Sequence, residues 1–271
     1  MPLLAAADPI LIEASVPQEL APIREVLAGK SSETFDGIRC ELGALGRHHV
    51  IVAMTGIGKT NGALVTSAVI GRFHPDRAFW TGTAARVRKS VRVGDLIIAG
   101  RVMNYDVGVL TRGGMQYGVD SGGVSSADKP WYAPPFLGPD GLYSTPNGFD
   151  SDPGLVRLAL EFAKDYHPES ISLHGVRYTP VIRRGFIVSG DLYGLTEVMI
   201  ADIRRKLDPD LLQVEGAAVA QVCLFYRVPL LVVCGGSDEL REDNPNEYAE
   251  VSPIAAREAA LFTRSLIAAL P

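Results

Sequence analysis

Two carboxylates stand where apolar, strand-like runs of this chain end. Glu215 follows the short run Leu211 to Val214 and opens a helical stretch of small residues, Gly216 to Phe225. Asp238 follows Pro229 to Cys234, the most apolar and β-branched run in the chain, by way of Gly235, Gly236 and Ser237. In α/β sheets the carboxyl ends of buried strands deliver side chains to ligands. An Asp in that setting can act as a proton donor, and a neighbouring carboxylate can grip a sugar. Together they suit cleavage of an N-glycosidic bond. That reaction needs protonation of the departing base, a grip on a ribose that takes oxocarbenium character, and attack by water or phosphate. Each residue also has a plainer reading. Glu215 can be a first-turn acid favoured by the helix dipole, and Asp238 can close an Asx-type turn or cap a helix.

A second candidate is Ala53 to Thr60, AMTGIGKT, which fits a relaxed phosphate-binding loop between a strand and a helix. Backbone N–H groups there could cradle phosphates, with Lys59 reaching the terminal ones. The first Gly of that motif is Ala53 here, and no apolar strand ends in a carboxylate suited to hold magnesium in the usual way. The competing reading is a tight turn that packs helix against strand through Gly56 and Gly58. An NTPase remains one hypothesis, testable by magnesium-dependent ATP binding that Lys59→Ala abolishes.

The elements that must position these residues alternate. Strands are predicted at Pro9 to Ser15, His49 to Met54, Arg77 to Thr81, Asp95 to Ala99, Arg183 to Ser189, Leu211 to Val214 and Pro229 to Cys234. Helices are predicted at Gln18 to Leu27, Asn61 to Phe73, Leu155 to Tyr166, Thr196 to Lys206, Gly216 to Phe225 and Ser252 to Leu270. Pro17 marks a helix entry, with Pro22 close behind it, and Gly82 to Ala85 reads as a small-residue turn. This order argues for a mostly parallel or mixed sheet covered on both faces. The stretch from Thr111 to Asn147 breaks the pattern. It is dense in Gly, Pro, Ser and Asp, with Trp131, Tyr132 and Phe136 interspersed, and reads as an ordered lid or subunit contact.

Bulk properties bound the function. The 271 residues suit one large α/β domain spanning 1–271, with an irregular insert at about 111–147. The net charge is −5 and no basic block stands out, which argues against a nucleic-acid partner. No apolar run reaches membrane-spanning length, so no membrane partner is expected. Cys40, Cys223 and Cys234 are far apart and lack metal-ligand spacing. They read as free thiols in a reduced compartment, and neither metal nor cofactor is expected. Met1 to Asp8 lacks the basic and long apolar regions of a signal peptide, although a trimmed remnant of one stays open; the expected location is cytoplasmic.

At these same residues the chain resembles the purine/uridine phosphorylase superfamily, above all the branch of methylthioadenosine/S-adenosylhomocysteine nucleosidases and futalosine hydrolases. The segments that carry the resemblance are TGIGKTNGAL (55–64), FWTGTAARV (79–87), VGDLIIA (93–99), GFIVSGD (185–191), VEGAAVAQVC (214–223) and VPLLVVCGGSD (228–238). They occur in the family's order and cover most of the chain outside 111–147. The resemblance implies an α/β three-layer αβα fold with a mixed, partly barrel-like central sheet. It implies a nucleoside substrate, a place in purine metabolism such as methionine salvage, and a homo-oligomer, with a dimer favoured. It also accounts for GIGKT without any NTPase.

Carried over residue by residue, Asp238 resembles the acid that protonates the base at N7, with Ser237 orienting it. Glu215 resembles the carboxylate that binds the ribose 2′- and 3′-hydroxyls. Val214 stands where nucleosidases usually have a Met against the sugar. Phe186 would stack on the base and the backbone of Ile187 would read its edge. Thr83 and Ala84 would lie near the anomeric carbon. Glu19 matches the Glu that orients the attacking water, with Gln18 competing for that place.

The resemblance also bears on the attacking group. Phosphorylases of this kind hold phosphate with arginines, one near the first strand-to-helix turn and one just before the Gly-Thr turn. Here Arg24 lies well into the first helix and Trp80 takes the second position. Burying a phosphate dianion without cations costs several kcal/mol. Arg86 and Arg88, beyond the turn, are expected to be solvated and keep a phosphorylase as the runner-up to hydrolysis. Cys234, where many nucleosidases have an Arg, and Val214 leave open a third reading, a noncatalytic nucleoside-binding or storage protein.

Overall fold

The computed structural model describes residues 9–112, 114–117, 136–137, 143–144, 148–192, 195–240, 244 and 246–271. Its centre is a ten-stranded mixed sheet. Strand β1 (Ile10–Ala14) lies parallel between β4 (His48–Met54) and β5 (Arg77–Arg86). Beyond β4 the sheet continues antiparallel through β3 (Ile38–Leu45) to the edge strand β2 (Ala28–Phe35).

On the other side the sheet closes on itself. Strand β5 pairs with both β15 (Leu211–Gln213) and β16 (Leu230–Gly236). Strand β16 pairs with β6 (Leu96–Asn104), β6 with β14 (Ile182–Ser189), and β14 with β15. Five strands therefore form a closed circuit, the partly barrel-like sheet expected from the resemblance. Every residue of β16 is buried, which suits the continuous apolar run of a strand covered on both faces. Short antiparallel pairs complete the strand set. These are β7 (Gly108–Thr111) with β8 (Gly114–Tyr117), β9 (Phe136–Leu137) with β10 (Tyr143–Ser144), β11 (Phe149–Asp150) with β6, and β12 (Ile171–Leu173) with β13 (Val176–Tyr178).

Among the described residues six helices flank the sheet: α1 (Pro17–Val26), α2 (Lys59–Phe73), α3 (Pro153–Asp165), α4 (Glu197–Leu207), α5 (Gly216–Tyr226) and α6 (Glu247–Ala269). Several start on local signals. Pro17 is pre-set for a first turn, and α1 runs on through Pro22, near enough to its start that one main-chain hydrogen bond is forgone. The Asp152 side chain caps α3 by accepting from the Leu155 amide at 2.8 Å. Helix α5 is buried along Gly216 to Ala220, where small side chains let it lie close to the sheet. Among the described residues, no helix is long and apolar enough to cross a membrane.

Several boundaries differ from those read in the sequence. The Gly82 to Ala85 turn is no turn: β5 continues straight through it to Arg86, because parallel pairing with β16 extends to Ala84↔Gly236. Strand β6 runs past Ala99 to Asn104, and α6 begins at Glu247 rather than Ser252, carrying Pro253 inside it. The hairpin β2–β3 was not predicted. Of the stretch 111–147, Trp131 and Tyr132 lie outside the described residues, and the described part includes the paired strands β7–β8 and β9–β10 instead of loop alone.

Candidate active site

A cleft of about 280 Å³ opens at the carboxyl ends of the strands. That is near the lower end of small-molecule sites. Three carboxylates line it, Glu19, Glu215 and Asp238, each brought by a different element and each buried. Glu19 belongs to the first turn of α1, just after β1; Glu215 is the N-cap of α5, just after β15; Asp238 follows β16.

The Glu19 carboxylate is held by four donors. Oε1 accepts the Thr83 amide at 2.7 Å and the Thr83 hydroxyl at 2.9 Å. Oε2 accepts the amides of Ser15 at 3.1 Å and Val16 at 3.2 Å. The last bond is the Glu side-chain half of a capping box; Val16 has no side-chain acceptor for the other half, and the Glu19 amide donates to the Val16 carbonyl at 3.2 Å. Gly82 leaves room for this arrangement, since a Cβ there would sit 2.9 Å from Glu19 Oε1. Burial pushes the Glu19 carboxyl up to about 7, against the hydrogen bonds from Thr83 and Val16 and with a further push from Glu215. Gln18 turns away, half of a hydrogen bond from its Nε2 to Ser252 Oγ at 3.3 Å. Of the two neighbours, Glu19 is the one that lines the cleft.

Glu215 does not cap its own helix. Its Oε1 accepts the amide of Gly58, the N-cap of α2, at 2.8 Å, and its Oε2 accepts the Ser15 hydroxyl at 2.7 Å. Burial raises its carboxyl above the ordinary value, those two donors oppose the rise, and Asp191 adds to it. Asp238 makes the Asx-type bond of the plainer reading, Oδ2 accepting the Leu240 amide at 3.1 Å, and still faces the cleft. Its Oδ1 accepts the Ser237 hydroxyl at 2.9 Å.

The GIGKT turn is filled by the protein's own carboxylates. Gly58 donates to Glu215, and the Lys59 amide donates to Asp191 Oδ1 at 2.8 Å. The Lys59 ammonium pairs with Asp106 Oδ1 at 2.5 Å. The donors that would cradle phosphates are committed, which removes the ground for the NTPase reading.

Val214, Thr83 and Ala84 line the cleft as expected. Phe186 and Ile187 do not. Phe186 packs against the cluster of Val87, Tyr105, Val188 and Leu212, and its amide donates to Asp210 Oδ2 at 2.8 Å. Ile187 is fully buried, and its backbone lies inside the sheet between Leu211 and Val102. Strand β14 reaches the cleft only past its end, where Leu192 forms part of the wall with Leu212 and Leu240. Ser15, Ile57 and Tyr248 are cleft residues that the sequence did not single out.

Arg86 departs from the expectation of a solvated side chain, whereas Arg88 is ion-paired but about a third exposed. Arg86 is mostly buried, donating to the Ser237 carbonyl at 2.5 Å and pairing with Glu247 at 2.7 Å and Glu239 at 3.2 Å. Arg88 pairs with Asp210 at 2.5 Å and Asp208 at 2.9 Å. Arg24 pairs with Glu41 at 3.2 Å. Trp80 is buried, its Nε1 donating to Gln213 Oε1 at 3.1 Å. Among the described residues, no Lys, Arg or His lines the cleft.

A closed five-strand circuit, a sheet extension and a strand-end cleft define a protein of nucleoside phosphorylase-like architecture. The chain belongs to the phosphorylase superfamily, whose family model matches residues 9–269. It is similar to the 5′-methylthioadenosine/S-adenosylhomocysteine nucleosidase of Mycobacterium bovis, at 29% identity over 93% of this chain and 94% of the relative. Among solved structures it resembles the nucleosidase of the same name from Neisseria meningitidis in complex with methylthio-immucillin-A. That match has a TM-score of 0.77 at 24% identity and covers 97% of this chain and 100% of the other. The futalosine hydrolase of Helicobacter pylori superposes with a TM-score of 0.77 at 23% identity, covering 97% of this chain and 99% of the other. At those identities the two structures speak to the fold.

Proposed function

We propose that the protein hydrolyses the N-glycosidic bond of a purine-type nucleoside, methylthioadenosine, S-adenosylhomocysteine or a relative, releasing free base and sugar. The observation that carries this reading is one cleft lined by Glu19, Glu215 and Asp238 with no cationic side chain among the described lining residues. A cleft lined by carboxyl groups, with no cation to compensate a buried phosphate dianion, suits water as the attacking group. Relatives named as nucleosidases support the substrate class.

In this reading Glu215 accepts hydrogen bonds from the ribose 2′- and 3′-hydroxyls. Asp238 gives its proton to N7 as the bond from the base nitrogen to the anomeric carbon breaks and its electron pair leaves with the base. Glu19 takes a proton from water as the water oxygen bonds to the anomeric carbon. A base with affinity for protons near neutrality is matched to that task. The proton lost by Asp238 and the one gained by Glu19 balance, and both groups reset through solvent.

A single domain, a cytoplasmic location and a homodimer complete the proposal. Three buried free cysteines fit a reduced compartment. An apolar groove between α2 and α5, flanked by exposed Phe225 and Tyr226, suits a second copy of the chain. Sedimentation as a monomer at micromolar concentration would remove that last part. The test of the function is incubation with a panel of purine nucleosides, with and without phosphate, scored by free base. Release without phosphate is expected. Release only with phosphate, yielding ribose 1-phosphate, or silence across the panel overturns it.

A further inference from the structure

Lys59, the signature residue of the Gly-Ile-Gly-Lys-Thr stretch, takes no part in the chemistry above, yet it is tied in more firmly than a surface lysine. Its Nζ pairs with Asp106 Oδ1 at 2.5 Å, and the two side chains are only 20% and 12% exposed. The other oxygen, Asp106 Oδ2, accepts the amide of Asp191 at 2.9 Å. Asp191 Oδ1 in turn accepts the amide of Lys59 at 2.8 Å. The bonds close a ring across three strand-end segments: the turn between β4 and α2, the residues after β6, and the residues after β14. Cleft residues flank this ring in the chain, Ile57 two positions before Lys59 and Leu192 directly after Asp191. Gly58, between Ile57 and Lys59, donates its amide to Glu215. At φ +111 Gly58 has a conformation that other residues rarely adopt, so the aim of that amide depends on how the turn is held.

We propose that Lys59 is a positioning residue for the sugar-binding carboxylate: through Asp106 and Asp191 it fixes the Gly58 amide on Glu215 and the Leu192 wall of the cleft. This rests on the nucleosidase reading. The charges favour it. Glu215 faces Asp191 from the β14 end and Glu19 from α1, and shares the cleft with Asp238; Ser15 and Gly58 donate to it. Lys59 is the cation of the ring. Without it Asp106 would be left uncompensated and the turn would lose its tether, with Asp191 still facing Glu215.

Lys59→Met, Lys59→Arg and Asp106→Asn variants test this, read by steady-state kinetics on the best nucleoside and by ¹³C titration of the Glu215 carboxyl, assigned with Glu215→Gln. In Lys59→Met, KM is expected to rise roughly ten-fold or more with kcat changed less than about three-fold, as for a lost ground-state contact. The Glu215 titration is expected to move upward, and Lys59→Arg to restore both in part. Asp106→Asn keeps an acceptor for the Asp191 amide but loses the ion pair to Lys59, so the turn loosens and KM and the titration move in the same direction as in Lys59→Met. It serves as the test if Lys59→Met does not fold. A Lys59→Met protein with parental KM and an unmoved Glu215 titration overturns the proposal, as does an Asp106→Asn protein with parental KM and an unmoved titration. Failure of the parent on every nucleoside overturns the nucleosidase reading instead, and the titration arm still decides whether Lys59 holds Glu215.

Discussion

The carboxylate of Glu215 and the amide of Gly58 meet at 2.8 Å, although 157 residues separate them. The N-cap of one helix thereby binds the N-cap side chain of another. The partial positive charge at the start of α2, which in a phosphate-binding loop meets a phosphate, here meets an internal carboxylate. Ser15 donates to the other oxygen, so Glu215 approaches a sugar with its orientation fixed beforehand. Glu215→Gln keeps the shape but replaces one acceptor oxygen with a donor, which faces the donors Gly58 and Ser15 or the sugar hydroxyls. Its kcat/KM is expected to fall by about 10²-fold or more. A variant within about three-fold of the parent would remove Glu215 from the sugar grip.

The pH dependence of turnover follows from Glu19. With its carboxyl pushed up to about 7 by burial, the group is ionised above that pH and protonated below it. A base must be ionised, so kcat/KM should fall about ten-fold per unit as pH drops below about 7. Glu19→Gln should abolish that limb and lower kcat by about 10²- to 10⁴-fold. A parental profile that stays flat from pH 5 to 8 contradicts the assignment.

How much of this site could be read from the chain depended on what announces each residue. Glu215 and Asp238 were legible because apolar runs and small residues mark the strand ends that carry them. Glu19 was legible only to within its neighbour. Gln18 and Glu19 point about 100° apart on a helix, and the register of the first turn decides between them. The hairpin β2–β3 was missed because β2, AGKSSETF, is largely exposed and shows no apolar alternation. Phe186 and Ile187 were placed too early, since a strand delivers residues to the cleft at its end and these two lie within it. Tyr248 was missed because the closing helix was started at Ser252, more than a turn past its actual start at Glu247. The pairing of Arg86 with Glu247 was invisible for the same reason.

Gly82 should tolerate no side chain. A Cβ there would meet Glu19 Oε1 at 2.9 Å and Cδ at 3.1 Å, inside a strand where the main chain is pinned by pairing with Cys234. The carboxylate must give way, and displacements of about 1 Å in positioned groups cost on the order of 10²-fold in rate. Gly82→Ala is expected to fold and to lose about that much kcat/KM, checked by kinetics alongside circular dichroism. Full activity would mean that Glu19 is free to move without consequence.

Glu13 provides a prediction about stability alone. It lies on β1, fully enclosed, with Thr66 Oγ1 donating to its Oε2 at 2.7 Å and no hydrogen-bond partner on Oε1. Burial pushes its carboxyl up to about 8. The folded protein therefore holds a proton here that the unfolded chain, titrating near the ordinary 4.5, releases earlier. The sign is fixed by that order: the contribution is fully present below about 4.5 and is lost as pH rises through 8. Glu13→Gln keeps the acceptor for Thr66 and cannot ionise. Its stability relative to the parent should climb from pH 5 to about pH 8 and then level off, the difference reaching the order of a few kcal/mol. Thermal unfolding of both proteins across that range checks it, and a difference that does not vary with pH would show that Glu13 is ionised in the fold or that its burial is relieved by water.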